Sequence, residues 1–182
     1  MRTAPTTLAA TLLAALALTA CSSSEGGGEA SATNTADSAK GTACTAARAA
    51  FEVGPSSAAP ATGDEGAVPV TVTNASGAAC TLKGVAAVDL FAGDRSWALE
   101  PQEGASEAAE LTLEDGQSVT FTISYVRGAA GDAEKGADVD ELKVALPGDS
   151  EVKSFKWPDP EVAVTSGNTL DATVGPFLPI GD

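Results

Sequence analysis

Residues 68–82 read VPVTVTNASGAACTL. Val68, Val70 and Val72 alternate with Pro69, Thr71 and Thr73. A period of two places the valines on one face and the polar residues on the other, the pattern of a half-buried antiparallel strand. Pro69 has no N–H and is therefore expected at the start of the strand or on an edge. Asn74-Ala75-Ser76-Gly77 ends the run, because Asn tolerates left-handed backbone and Gly supplies positive φ, so this is a turn. Ala78-Ala79-Cys80-Thr81-Leu82 then leads into the next strand. Asn74-Ala75-Ser76 also fits the glycosylation sequon, but the turn is the expected reading.

Outward from this stretch the chain repeats the same grammar. Upstream, 43–53 reads as a short turn entering a strand, and 54–66 as a loop. Downstream, Val85, Val88, Leu90 and Phe91 suggest a strand, with Trp97 and Leu99 on a short partner. Leu111 and Leu113 precede the tight turn Glu114-Asp115-Gly116-Gln117. Val119, Phe121, Ile123 and Tyr125, alternating with Thr120, Thr122 and Ser124, form the clearest strand. Residues 128–136 read as a long flexible loop. Leu142, Val144 and Leu146 make another strand, followed by 152–157 and by Val162 and Val164, and the tail from 165 is mostly irregular. About 7–8 short antiparallel strands, regular turn signals and no convincing helix predict an all-β fold, a single β-sandwich over residues 43–182. Phe51, Phe121, Tyr125, Phe155 and Trp157 are the expected large core fillers in a core otherwise of Val, Leu and Ala.

The N-terminus carries a different message. Arg2 precedes an apolar run over 8–18, too short to span a bilayer, which needs about 20 apolar residues. It fits a signal peptide over 1–20. Leu18-Thr19-Ala20-Cys21 reads as a lipobox, whose Cys takes a diacylglycerol thioether and becomes the new N-terminus. Residues 21–42 then form a lipidated, disordered tether of small and polar residues that cannot bury enough apolar surface to offset chain entropy. Its roughly 20 residues give an average reach of about 25 Å, enough to lift the domain clear of the headgroups. With Cys21 lipidated, Cys44 and Cys80 remain, and an even pair in an exported chain reads as a disulfide. In the chain-entropy model such a loop contributes about 4 kcal/mol. A metal or redox pair is the rival, disfavoured by the lack of His and of any C-x-x-C.

The formal charge is −15, from 25 acidic and 10 basic residues. That field repels nucleic acid and anionic headgroups, so no nucleic-acid partner is expected and lipid chains must hold the protein to the membrane. The chain has no His, which excludes Ser-His-Asp and Cys-His catalysis and imidazole metal sites. A single Met excludes Met-rich copper binding, and no nucleotide-binding glycine motif occurs. We therefore expect no enzyme and no cofactor. Asp132, Glu134, Asp138, Asp140 and Glu141 lie in a Gly-containing segment that could in principle supply oxygen ligands to calcium. Gly136 breaks the EF-hand spacing, and a solvated loop is the expected outcome.

Thr73-Asn74-x-Ser76-Gly77-x-x-Cys80-Thr81-Leu82-x-Gly84 resembles the signature of the domain of unknown function 4232 family, an actinobacterial extracytoplasmic family. Cys44 stands as its early Cys, Leu113-Glu114-Asp115-Gly116 in the place of an L-x-P-G turn, and Pro176-Phe177 as its late P-F, so the resemblance covers about residues 44–179. Many members carry a second Cys pair in the C-terminal half, which this chain lacks. The resemblance implies an immunoglobulin-like sandwich and supplies no activity. The expected function is a binding or interaction module at the extracytoplasmic face of the cell membrane, lipid-anchored, facing a protein or cell-wall partner. Trp97 and Trp157 are its candidate contacts if exposed, since Trp is enriched at interaction hot spots, but burial of both in the core is the expected outcome. The competing functions are a passive structural envelope lipoprotein and a calcium-dependent adhesion domain.

Overall fold

The computed structural model describes residues 42–57, 59–159, 161–165 and 169–180. The expected signal peptide, the lipidated Cys21 and the tether up to residue 41 lie outside the described residues.

The elements are all short. In chain order the strands are β1 (Thr42–Ala43), β2 (Ala49–Val53), β3 (Glu65–Asn74), β4 (Cys80–Leu82), β5 (Ala87–Ala92), β6 (Arg95–Ala98) and β7 (Glu100–Pro101). They continue with β8 (Leu111–Leu113), β9 (Ser118–Val126), β10 (Gly136–Asp138), β11 (Glu141–Ala145), β12 (Val152–Lys156), β13 (Glu161–Ala163), β14 (Ala172–Val174) and β15 (Leu178–Pro179). Single 3-10 turns occur at Ala46–Arg48 and Ala105–Glu107.

The main sheet has the order β2-β3-β9-β14-β7, with β15 also on β9. Its spine is the β3–β9 pair, in register from Glu65 opposite Val126 to Thr73 opposite Ser118. Both strands keep a strict alternation, burying Val68, Val70 and Val72 on one and Val119, Phe121, Ile123 and Tyr125 on the other. The second sheet, β12-β11-β5-β6, is antiparallel throughout and turns Val88, Leu90, Trp97, Leu142 and Val144 inward. The inward faces of the two sheets form one hydrophobic core. Each fully buried Val, Leu or Phe there contributes about 1.5–3 kcal/mol. Two small sheets, β1-β4-β8 and β10-β13, close the rest.

The all-β sandwich is as expected, with corrections in detail. The described residues hold fifteen strands rather than 7–8, and two pairings, β1–β4 and β14–β7, are parallel. Most of the extra strands are two or three residues long, too short to show alternation. Pro69 is inside β3, not at its start or on a sheet edge. It is tolerated because β2 ends opposite Val70 and the Pro69 carbonyl faces the Gly54 N–H just beyond, at 2.8 Å, where no ladder donor is required of Pro69. The segment 128–136 is a loop, as expected, but its two ends are packed together: a Cβ on Gly128 would lie 2.6 Å from Gly136 Cα, so the two backbones meet only because both are glycine. The tail is mostly irregular, as expected, but β14 and β15 join the main sheet, with Phe177 edge-on to Phe121 at 5.4 Å. Of the expected large core fillers, Phe51 and Phe155 are only half-buried and pack on each other at 5.9 Å where the edge strands β2 and β12 meet.

The register defines two ends. At one lie Asn74, Ser118, the β1–β4 pair and the 114–117 turn; at the other lie Glu65, Tyr125 and Val126. Tyr125 clasps the second end. Its hydroxyl donates to the buried Asp159 carboxylate at 2.6 Å, and its ring meets Trp157 edge-on at 5.4 Å. The ring lies over Gly66, where any Cβ would overlap it. Burial, then the hydrogen bond to Asp159 and its charge, push the Tyr125 phenol up to about 12, with Ser56 and Arg127 acting in the opposite direction.

The sign of the linkage follows. An unfolded phenol releases its proton near about 10. Between there and about 12 the folded state holds the proton more tightly, so this stabilisation is complete below pH 10 and is lost as pH rises through 12. Because the chain has one Tyr, phenolate absorbance reports on this group alone. An alkaline titration should show no phenolate in the native protein until well above pH 10, with unfolding setting in over the same window. Phenolate appearing near 10 with the fold intact would refute the clasp.

Candidate functional site

Asn74 ends β3, and its side chain is buried at 3% exposure. An amide offers two donor hydrogens and an acceptor, and all are engaged. Nδ2 donates to the carbonyls of Ala78 at 2.8 Å and Leu113 at 2.9 Å, while Oδ1 accepts from the Ser76 N–H at 3.0 Å. The Asn74 backbone is held as well, its N–H by the Gln117 carbonyl and its carbonyl by the Gly116 N–H. This burial removes Asn74 from any role as a glycan acceptor and confirms the turn.

The neighbours extend the knot. Ser76 Oγ donates to the Ala78 carbonyl at 2.8 Å. Gly77 has φ 78° and its N–H donates to Asp115 Oδ1 at 2.8 Å, so the turn after β3 is stitched to the turn after β8. Cys80 is joined to Cys44 by a disulfide, as expected, and the Cys44 N–H donates to the Thr81 carbonyl at 2.9 Å. Asp149 Oδ2 accepts from the Ala46 N–H at 2.7 Å. That bond, followed by one from the Glu151 N–H, holds the Asp149 carboxyl below its usual range. Beneath the disulfide is a cavity of ≈ 140 Å³ with Val72, Asn74, Leu113 and the two cysteines in its lining.

The two candidate contact tryptophans lie in the core, as expected. Trp97 is 5% and Trp157 2% exposed, so neither is a surface contact; both belong to the core. Trp97 points inward because β6 pairs it with Leu90, and Arg95 covers its ring at 4.7 Å. Trp157 is drawn in by Tyr125. Neither indole N–H has an acceptor among the described residues. The proposed calcium residues do not converge: among the described residues no three His, Cys, Asp or Glu side chains could share a metal ion. Asp132 instead pairs with Lys135 at 3.2 Å and accepts from the Glu134 N–H at 3.1 Å, and these interactions lower its carboxyl pKa. Glu134, Asp138 and Asp140 are exposed.

The importance of Asn74 is not legible from residues 74–77 alone, because one of its acceptors, Leu113, lies 39 positions away. Asn74→Ala leaves the Ala78 and Leu113 carbonyls without their amide donor and should lower stability by about 2–4 kcal/mol. Asn74→Asp, which offers no donor when ionised, should cost at least as much. Urea denaturation measures both, and a loss under about 1 kcal/mol would show that the carbonyls find other partners. Reducing the disulfide should remove about 4 kcal/mol more, read as a lower melting temperature with reductant after denaturing exposure of the bond.

No curated protein matches the chain. The family described as Domain of unknown function (DUF4232) matches residues 44–178, a span that begins at the first cysteine of the disulfide and ends in β15. The chain belongs to the domain of unknown function 4232 family.

Proposed function

We propose that the protein is an extracytoplasmic lipoprotein, anchored by a lipid on Cys21, whose folded domain acts as a binding module and not as an enzyme. The observation that carries this reading is the order of parts: an apolar run of signal length, the Leu18-Thr19-Ala20-Cys21 lipobox, a tether of small polar residues, and only then a folded domain. The domain boundaries follow: signal over 1–20, lipid and tether over 21–42, sandwich over 43–182. We read the two-sheet sandwich as immunoglobulin-like and the source as actinobacterial.

Two observations favour binding over a passive structural role. A cavity penetrates beneath the disulfide, and several shallower clefts of ≈ 290–520 Å³ mark the surface. The acid–base balance supports extracytoplasmic display, since a solvated acidic surface keeps a displayed domain soluble. An absence of His in the whole chain weighs against general-base hydrolysis at neutral pH.

Cell fractionation of the wild type and of Cys21→Ala tests the anchor. The wild type should sediment with membranes and the variant should appear in soluble, exported or precursor form. Equal membrane association of both would overturn lipid anchoring at this residue.

A further inference from the structure

The cavity at the signature end has a definite chemical character. Its floor is Val72, Leu113 and the disulfide, all buried. Asn74 also reaches it, but the donors and acceptor of that side chain are already taken by Ala78, Leu113 and Ser76. Asn74 therefore adds no free donor to the lining, whose other polar side chains are Thr42, Thr45, Ser76 and Arg48. The walls include Ala43, Ala49, Ala78 and Ala79, where larger side chains would close the space. Its ≈ 140 Å³ is close to the roughly 150 Å³ of an engineered apolar cavity that stays dry and takes benzene.

The lining carries one cation, Arg48. Its side chain makes no ion pair or hydrogen bond among the described residues, although the chain has 25 acids. The nearby Asp149 carboxylate is turned to the Ala46 and Glu151 N–H groups instead. Arg48 is the one charged side chain in the lining and so the group there that an anionic head would meet. A charge-assisted hydrogen bond from a guanidinium is about twice as strong as a neutral one.

We propose that this cavity is a binding site for a single aromatic ring or short alkyl group bearing an anionic head, the apolar part beneath the disulfide and the head on Arg48. This rests on the binding-module reading but not on the lipid anchor. A free small carboxylate and a membrane amphiphile share this chemistry.

The test is a titration of the isotope-labelled full chain, carrying Cys21→Ser so that no lipid competes, with benzoate and separately with benzyl alcohol. Benzoate should give saturable amide shifts confined to residues 42–49, 72–80 and 113, and benzyl alcohol should bind at least tenfold more weakly. Arg48→Gln, at an exposed position, should reduce benzoate affinity to the benzyl alcohol level. Ala79→Leu should abolish binding, with Ala49→Leu as the substitute if the first variant loses its dispersed spectrum. Linear, unsaturable or scattered shifts, benzyl alcohol binding as well as benzoate, or benzoate binding unchanged in a folded cavity-filling variant would each overturn the proposal. The lipidated chain in nanodiscs then separates the sources. Cavity signals already shifted, with benzoate affinity reduced, identify a membrane amphiphile; unchanged benzoate affinity identifies a free carboxylate. Failure of these titrations leaves the Cys21→Ala fractionation intact, so the two readings fall separately.

Discussion

The buried carboxamide of Asn74 is the constraint on which this end of the molecule depends. A strand running through the middle of a sandwich must leave it without stranding polar backbone, and each unpaired buried carbonyl costs about 1–3 kcal/mol. Asn74 solves this in one residue, completing the Ala78 and Leu113 carbonyls while its acceptor orders Ser76. The direction of the chain into β4 follows, and with it the position of Cys80 against Cys44. The small β1-β4-β8 sheet is then tied to the main one through a side chain rather than through ladder hydrogen bonds. The disulfide adds a covalent tie at the same place, so the two devices reinforce each other instead of guarding separate regions.

The other end is held by different physics. There the connection between sheets is the Tyr125–Asp159 hydrogen bond, sheltered by Trp157 and made possible by the missing Cβ of Gly66. Cations are scarce, and several are used internally. Arg127 ties the Ala59 carbonyl at 2.8 Å and Glu161 at 3.4 Å, and Lys143 lies 3.9 Å from the centre of the Phe91 ring. Such partly exposed pairs contribute little each, roughly 0–1 kcal/mol. The acidic excess is therefore a surface property, and core packing together with the two end-clasps maintains the fold.

This division explains what could be read from the sequence. The β3, β9 and β11 strands were legible because each buries one face, which forces a period of two. The Cys44–Cys80 bond was legible by counting. Strands such as β7, β10 and β15 were not, since two or three residues carry no period. The tryptophans were ambiguous for a related reason: Trp97 sits in the four-residue β6, and only its pairing opposite Leu90 decides which face it takes. Residues 128–136 looked flexible because Gly128 and Gly136 are permissive in isolation, whereas here they allow close backbone contact. Partners far apart in sequence, Asn74 with Leu113 and Tyr125 with Asp159, leave no local trace.

The same hydrogen bonds bear on what the family signature means. Its polar members are largely engaged within the protein: Asn74 to Ala78, Leu113 and Ser76, and Ser76 to Ala78. Its cysteine is oxidised and its Leu82 and Phe177 are buried. A reactive group needs a lone pair or proton free to meet a substrate, and hydrogen bonds to backbone compete for the atoms that would supply one. The signature thus specifies how the chain turns and closes. The residues that the knot leaves uncommitted are the ones free to meet a ligand. At this end of the molecule those include the alanines that keep the cavity open and the guanidinium of Arg48 at its lining.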